Sequence, residues 1–150
     1  MTDSEQRDSR TRFAHTDVLA DATRAAQMRR EFGTWLKRYF TLDATKASDV
    51  VLAVNEALAN AAEFAYSTVE RPGAMHLLAD YDTGTAVLTV TVSDDGAWRI
   101  ADSEKKSISR GRGIPLMHAL ADRATIDSSP AGTRVSLEWN QVAAVQSSVS

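Results

Sequence analysis

The chain has no cysteine, which removes disulfides, thiolate zinc sites and cysteine nucleophiles at once. That absence suits a reducing compartment. It also has no excess of basic residues: 17 Lys and Arg stand against 20 Asp and Glu, for a net charge of −3. A face that grips nucleic acid through its phosphates needs a positive footprint, so no direct nucleic-acid partner is expected. No window approaches the ~20 apolar residues of a membrane span. Met1 to Arg12 is polar and carries no apolar core of the kind a secretory leader needs. A cytoplasmic protein without a membrane partner is the expectation. His15, His76 and His118 lack metal-ligand spacing and read as surface or packing residues. At 150 residues, with 43% hydrophobic and 25% charged, the chain is one globular domain large enough for a real core.

The densest signal lies in Asn55-Glu56-Ala57-Leu58-Ala59-Asn60-Ala61-Ala62-Glu63. On a helix, Asp49, Glu56, Asn60 and Glu63 fall on a stripe about 60° wide. Almost everything else from Val50 to Ala65 is Val, Leu, Ala or Phe. The helix therefore reads as enclosed by packing except along a narrow acidic and amide edge. A carboxylate and a carboxamide one turn apart suit a Mg²⁺-nucleotide site, because Mg²⁺ takes few protein oxygens and leaves room for phosphate and water. A merely solvated edge on a buried helix is the plainer alternative.

The rest of the chain divides as follows. Residues 1–10 are charged and Ser-rich and read as a disordered tail. A short strand at about 12–16 precedes a helix from Asp17 or Asp21 to about Phe40, marked by Ala25, Met28, Phe32, Trp35, Leu36 and Tyr39. Asp43 or Ser48 caps the next helix, which runs to about Tyr66. Strands at about 74–80 and 85–93 flank Asp82-Thr83-Gly84, a hairpin turn. Residues 97–110 form a polar loop, long enough to be functional rather than idle. A helix at about 113–122 follows, then strands at about 124–129 and 133–140, and a flexible tail over 141–150. The domain proper is 11–140. The fold class is α/β: a two-layer sandwich with a mixed, mainly antiparallel sheet and helices on one face.

Three further motifs carry chemistry. Asp94 ends the alternating strand Val87–Ser93, where a carboxylate can accept from the exocyclic amine of adenine; Gly96 follows where close approach needs no Cβ. An ordinary Asp-Asp-Gly turn would look the same. Gly111 and Gly113 precede Ile114-Pro115, so the free N–H groups of a helix start are available to phosphate. Arg110 and Arg112 beside those glycines could each fork onto a phosphate, or either is an exposed surface charge. Gly132-Thr133 opens the last strand.

Taken in order, these motifs resemble the ATPase family that includes DNA gyrase B, heat-shock chaperones and the ATP domains of sensor histidine kinases. The Glu-x-x-x-Asn-Ala spelling and the trailing Ala65-Tyr66 resemble, more narrowly, the anti-sigma-factor serine/threonine kinases of bacteria. The resemblance covers roughly residues 11–140. It implies the histidine-kinase-like ATPase fold, with ATP and Mg²⁺ as cofactors and Asn60 on the metal. It further implies Glu56 as general base or orienting group, Asp94 as the adenine contact and residues 99–112 as a lid over the phosphates, with Arg110 favoured over Arg112 at the γ-phosphate. Thr133 would join a water-linked network to adenine and Asp94. The implied partners are an anti-anti-sigma protein carrying the acceptor serine and an RNA polymerase sigma factor held by a homodimer. Trp98 stands where a second glycine is common, and Phe64 where histidine is often found. Those two departures motivate the alternative of a non-catalytic regulator-binding module with ATP structural or absent. A detached histidine-kinase ATP domain is the third option; the chain shows no preceding hairpin with a phospho-accepting histidine.

Overall fold

The structure is a computed structural model that describes residues 10–67, 73–94, 115–129 and 132–145, with the side chains of 63–67 and 128–129 left aside. Strand β1 (Arg12–Leu19) leads into helix α1 (Ala22–Tyr39), then β2 (Phe40–Thr41) and helix α2 (Ala44–Ser67). Strands β3 (Ala74–Asp82) and β4 (Val87–Asp94) form a hairpin. Residues 115–120 are helical, followed by β5 (Arg123–Ser129), β6 (Gly132–Trp139) and β7 (Ala143–Ala144). The five-stranded sheet has the order β1-β3-β4-β6-β5, and each described pairing is antiparallel. β2 and β7 form a separate two-stranded pair.

Period-two alternation explains the layering. Leu88, Val90 and Val92 are buried, whereas Thr89, Thr91 and Ser93 are only partly covered. Leu77, Ala79, Val135, Leu137 and Trp139 join the buried face, and both long helices pack on it. From α1 come Met28, Phe32, Trp35 and Leu36; from α2 come Val50, Ala53, Val54, Ala57, Leu58 and Ala61. An aromatic chain links β1 to the hairpin, with ring centroids 5.6 Å apart for Phe13–Trp35, 5.0 Å for Trp35–Phe40 and 4.8 Å for Phe40–Tyr81. The last two are edge-on, an arrangement that stabilises beyond the area it buries.

Caps settle the helix starts that the sequence left open. Asp21, not Asp17, begins α1, its Oδ1 accepting from the Arg24 N–H at 2.7 Å. Asp43, not Ser48, begins α2, its Oδ1 accepting from the Lys46 N–H at 2.7 Å. Asp17 belongs instead to β1, which runs three residues further than the sequence suggests. It sits at φ 58° where the register with β3 shifts, and its N–H donates to His76 Nδ1 at 3.0 Å. A bulge breaks the alternation a strand is read from, which is why the strand looked short.

The domain also continues past residue 140. Val142 is fully buried, Ala143 and Ala144 pair with β2, and the Val145 N–H donates to the Tyr39 carbonyl. Two paired residues are too few to leave a periodic trace in the sequence. Residues 1–9 lie outside the described residues.

Candidate functional site

The inner face of the sheet can be read row by row from its register. The last row runs Val18, Met75, Asp94, Thr133, Ser128 across β1, β3, β4, β6 and β5. Asp94 and Thr133 are direct partners, 6% and 7% exposed, and they are the two buried polar residues among the described ones. Directly opposed residues bring their Cβ atoms to about 5 Å. A buried carboxylate and a hydroxyl are thus held side by side at the end of an otherwise apolar face. Gly132 opens β6 opposite Ser129 with a φ of 146° that suits glycine, and Thr133 follows it opposite Asp94.

Glu56 and Asn60 project from the middle of α2, the helix that packs over β3, β4 and β6. Both are partly buried and flank the buried Ala57. The edge they form is less isolated than the sequence implies, because Leu52 is 40% exposed and Ala59 is exposed as well. Alanine and leucine carry no mark of which helix face meets water, so an apolar exposed strip cannot be told from a buried one by pattern alone. Among the described residues no group of three or more His, Asp or Glu side chains could cage a metal ion. The partly buried Glu56 carboxylate and Asn60 carboxamide, one turn apart, are oxygen donors of the kind Mg²⁺ takes.

Gly96, Arg110, Arg112, Gly111 and Gly113 lie outside the described residues, as does Trp98, and the side chain of Phe64 is likewise left aside. The residues the sequence reading passed over are Met75 and Ser128, which flank the Asp94–Thr133 pair in register. Only strand pairing reveals them, and pairing is a non-local property. A cavity of about 790 Å³ opens between α1 and α2, but Glu56, Asn60, Asp94 and Thr133 are all absent from its lining. It is therefore not evidence for the site.

A helix layer on one face of an antiparallel sheet, with buried polar side chains at one end of that face, defines a two-layer α/β domain. The chain belongs to the histidine kinase-like ATPase domain family, whose model matches residues 18–139. ATP is the nucleotide for which that family is named. Among solved structures it is similar to the RsbU and RsbW domains of Rv1364c from Mycobacterium tuberculosis, with a TM-score of 0.67 and 22% identity. The similarity covers 87% of this chain and 32% of that one, and at this identity it speaks for the fold. No described helix is long and apolar enough to cross a membrane.

Proposed function

We propose that this chain is an ATP-dependent protein serine/threonine kinase of the anti-sigma type. The observation that carries the reading is the buried Asp94–Thr133 pair at the end of the strands on which the Glu56–Asn60 helix packs. Asp94 accepts from the adenine amine, and Thr133 orients that carboxylate. A base that offers no donor leaves a buried acceptor unpaired, which is how such a site discriminates. Gly96 lets the base lie close to the backbone. Arg110, Gly111 and Gly113 hold the phosphates through a guanidinium fork and backbone N–H groups.

Asn60 supplies the carboxamide oxygen for Mg²⁺, which when bound offsets charge on the phosphates. Glu56 takes the proton of an incoming serine or threonine hydroxyl. The hydroxyl oxygen then forms its bond to the γ-phosphorus as the bond to the ADP oxygen breaks. The acceptor is an anti-anti-sigma protein, and the second partner is a sigma factor held by a homodimer of this chain. The motif order around residues 56–60, 94–96, 110–113 and 132–133 supports these partners.

Labelled Mg-ATP incubated with a panel of candidate acceptor proteins tests the proposal. Label should appear on an acceptor hydroxyl with the native chain and fall at least about a hundredfold with Glu56→Ala. Asn60→Ala should lose the Mg²⁺ dependence of nucleotide affinity. Tight Mg-ATP binding with no labelled acceptor would instead favour a regulator-binding module, and hydrolysis without an acceptor would favour a detached histidine-kinase domain.

A further inference from the structure

The cavity of about 790 Å³ between α1 and α2 has a chemistry of its own. Its volume falls within the roughly 300–1,000 Å³ of small-molecule sites, which are mostly apolar with a few polar groups that fix orientation. The apolar wall consists of Leu19, Ala22, Ala26, Leu58, Ala59 and Ala62. Alanines from both helices leave room here that longer side chains would fill. Leu19, 42% exposed, adds a large apolar side chain at one end.

The unused polar groups gather at the other end. α1 and α2 pack together and are joined only by residues 40–43, so they run antiparallel. Counting outward from that connection sets Arg29 level with Asn55, and Ala22 level with Ala62. Arg29 is exposed and forms no ion pair among the described residues. Asn55 Oδ1 is closed to solvent and accepts no hydrogen bond among them. An acceptor buried in that state is costly, and a turn of the amide about its last bond offers the oxygen to a donor in the cavity. Asp21, at the Leu19 end, is already engaged. Its Oδ1 accepts from the Arg24 N–H at 2.7 Å, and its Oδ2 lies 3.9 Å from Arg24 Nε. The described lining therefore offers a cationic end with a spare acceptor, an apolar length and no unengaged carboxylate.

We propose that this cavity binds a medium-chain aliphatic carboxylic acid with a hydroxyl group near its carboxylate. The Arg29 guanidinium takes the carboxylate, the hydroxyl donates to Asn55 Oδ1, and the alkyl chain lies along the alanines towards Leu19 and Ala62. From the level of Arg29 to that of Ala22 is about 10 Å at 1.5 Å per residue, which suits a medium chain rather than a long one. A cationic head group meets Arg29 at one end and an occupied Asp21 at the other, so the sign of the ligand is set. Glu56, Asn60, Asp94 and Thr133 lie outside the lining, and the inference does not rest on the kinase reading.

Calorimetric titration of the full chain with 3-hydroxydecanoate, decanoate, decanol and decyltrimethylammonium, each below its micelle concentration, tests the site. One 3-hydroxydecanoate should bind per chain, several-fold more tightly than decanoate, with the cation at least about tenfold weaker than either acid. Removing two methylenes from the acid should cost about tenfold. Arg29→Gln should weaken both acids about tenfold and leave decanol unchanged, and Asn55→Ala should erase the advantage of the hydroxyl. Ala59→Leu fills the cavity from an exposed position on α2 and should abolish binding of acids and alcohol alike while circular dichroism stays native. No saturable binding of the hydroxy acid to the native chain, preference for the cation, or undiminished binding by Arg29→Gln or Ala59→Leu would each overturn the inference. Failure of acceptor labelling with Mg-ATP would instead count against the proposed function alone.

Discussion

The two ends of the sheet's inner face differ in how they treat buried polar atoms. At the Trp139 end, side-chain donors from three elements are bound by backbone carbonyls. The indole Nε1 of Trp139 donates to the Leu120 carbonyl at 2.8 Å, and the Tyr81 hydroxyl donates to that of Val142. Lys46 Nζ closes the same end by donating to the Asn140 carbonyl. These bonds tie the helical segment 115–120 and residues 140–142 to the sheet, and their role is architectural. At the Asp94 end, a carboxylate and a hydroxyl occupy positions that Val90, Leu137 and their neighbours fill elsewhere with hydrocarbon. Burying an acid is costly, so a chain selected for stability alone would place an apolar pair there. The contrast separates a scaffold end from the end that the proposed function makes a recognition surface, with three or four rungs between.

The largest expected effect breaks the scaffold half. Phe32 is fully buried and packs 5.9 Å from both Phe13 and Trp35. Phe32→Ala should cost about 4 kcal/mol in denaturant unfolding, from lost transfer energy plus a cavity. Nucleotide affinity measured well below the melting temperature should survive in whatever fraction remains folded. If affinity falls in proportion to something other than the folded fraction, the two halves are not separable as described.

A second substitution inverts that outcome. Asp94→Asn replaces an acceptor with a group that offers a donor to the adenine amine, while keeping the volume. Mg-ATP affinity by calorimetry should fall about tenfold to a hundredfold, the range for one charged hydrogen bond. Unfolding free energy should change by less than the binding free energy, since the side chain keeps its volume and one acceptor oxygen. A large loss of stability with affinity intact would assign Asp94 to the scaffold instead.

Much of this contrast was visible before the structure. The strand ending in Asp94, the hairpin at Asp82–Gly84, the long helix with Glu56 and Asn60 and the Gly-Thr start of β6 each follow from local pattern or turn chemistry. The hairpin differs in detail: Asp82 Oδ1 accepts from the Gly84 N–H, and Ala86 at φ 60° closes a turn one residue longer. What remained hidden was set by pairing across distance. The strand order β1-β3-β4-β6-β5, the Asp94–Thr133 opposition and the bulge at Asp17 depend on register, which no window of neighbouring residues encodes. The exposure of Leu52 escaped for a related reason, since it depends on where α1 and the sheet leave α2 uncovered.

The smallest effect sharpens the comparison by touching the element that serves both halves. Helix α2 contributes Val50, Val54 and Leu58 to the core and Glu56 with Asn60 to its edge. Its start depends on Asp43, whose Oδ1 takes the Lys46 N–H and whose carbonyl takes that of Ala47. Asp43→Ala removes the side-chain cap and should cost about 1 kcal/mol of stability. Nucleotide affinity should not change, because fraying is confined to the first turn and Glu56 lies three turns further on, held by the buried Ala53 and Ala57. A chevron or melt shifted by that amount with an unaltered Mg-ATP titration is the expected pair of results. Affinity that falls with the cap would mean that α2 moves as one rigid rod on the sheet, so that its core contacts do not fix the Glu56–Asn60 edge independently of its start.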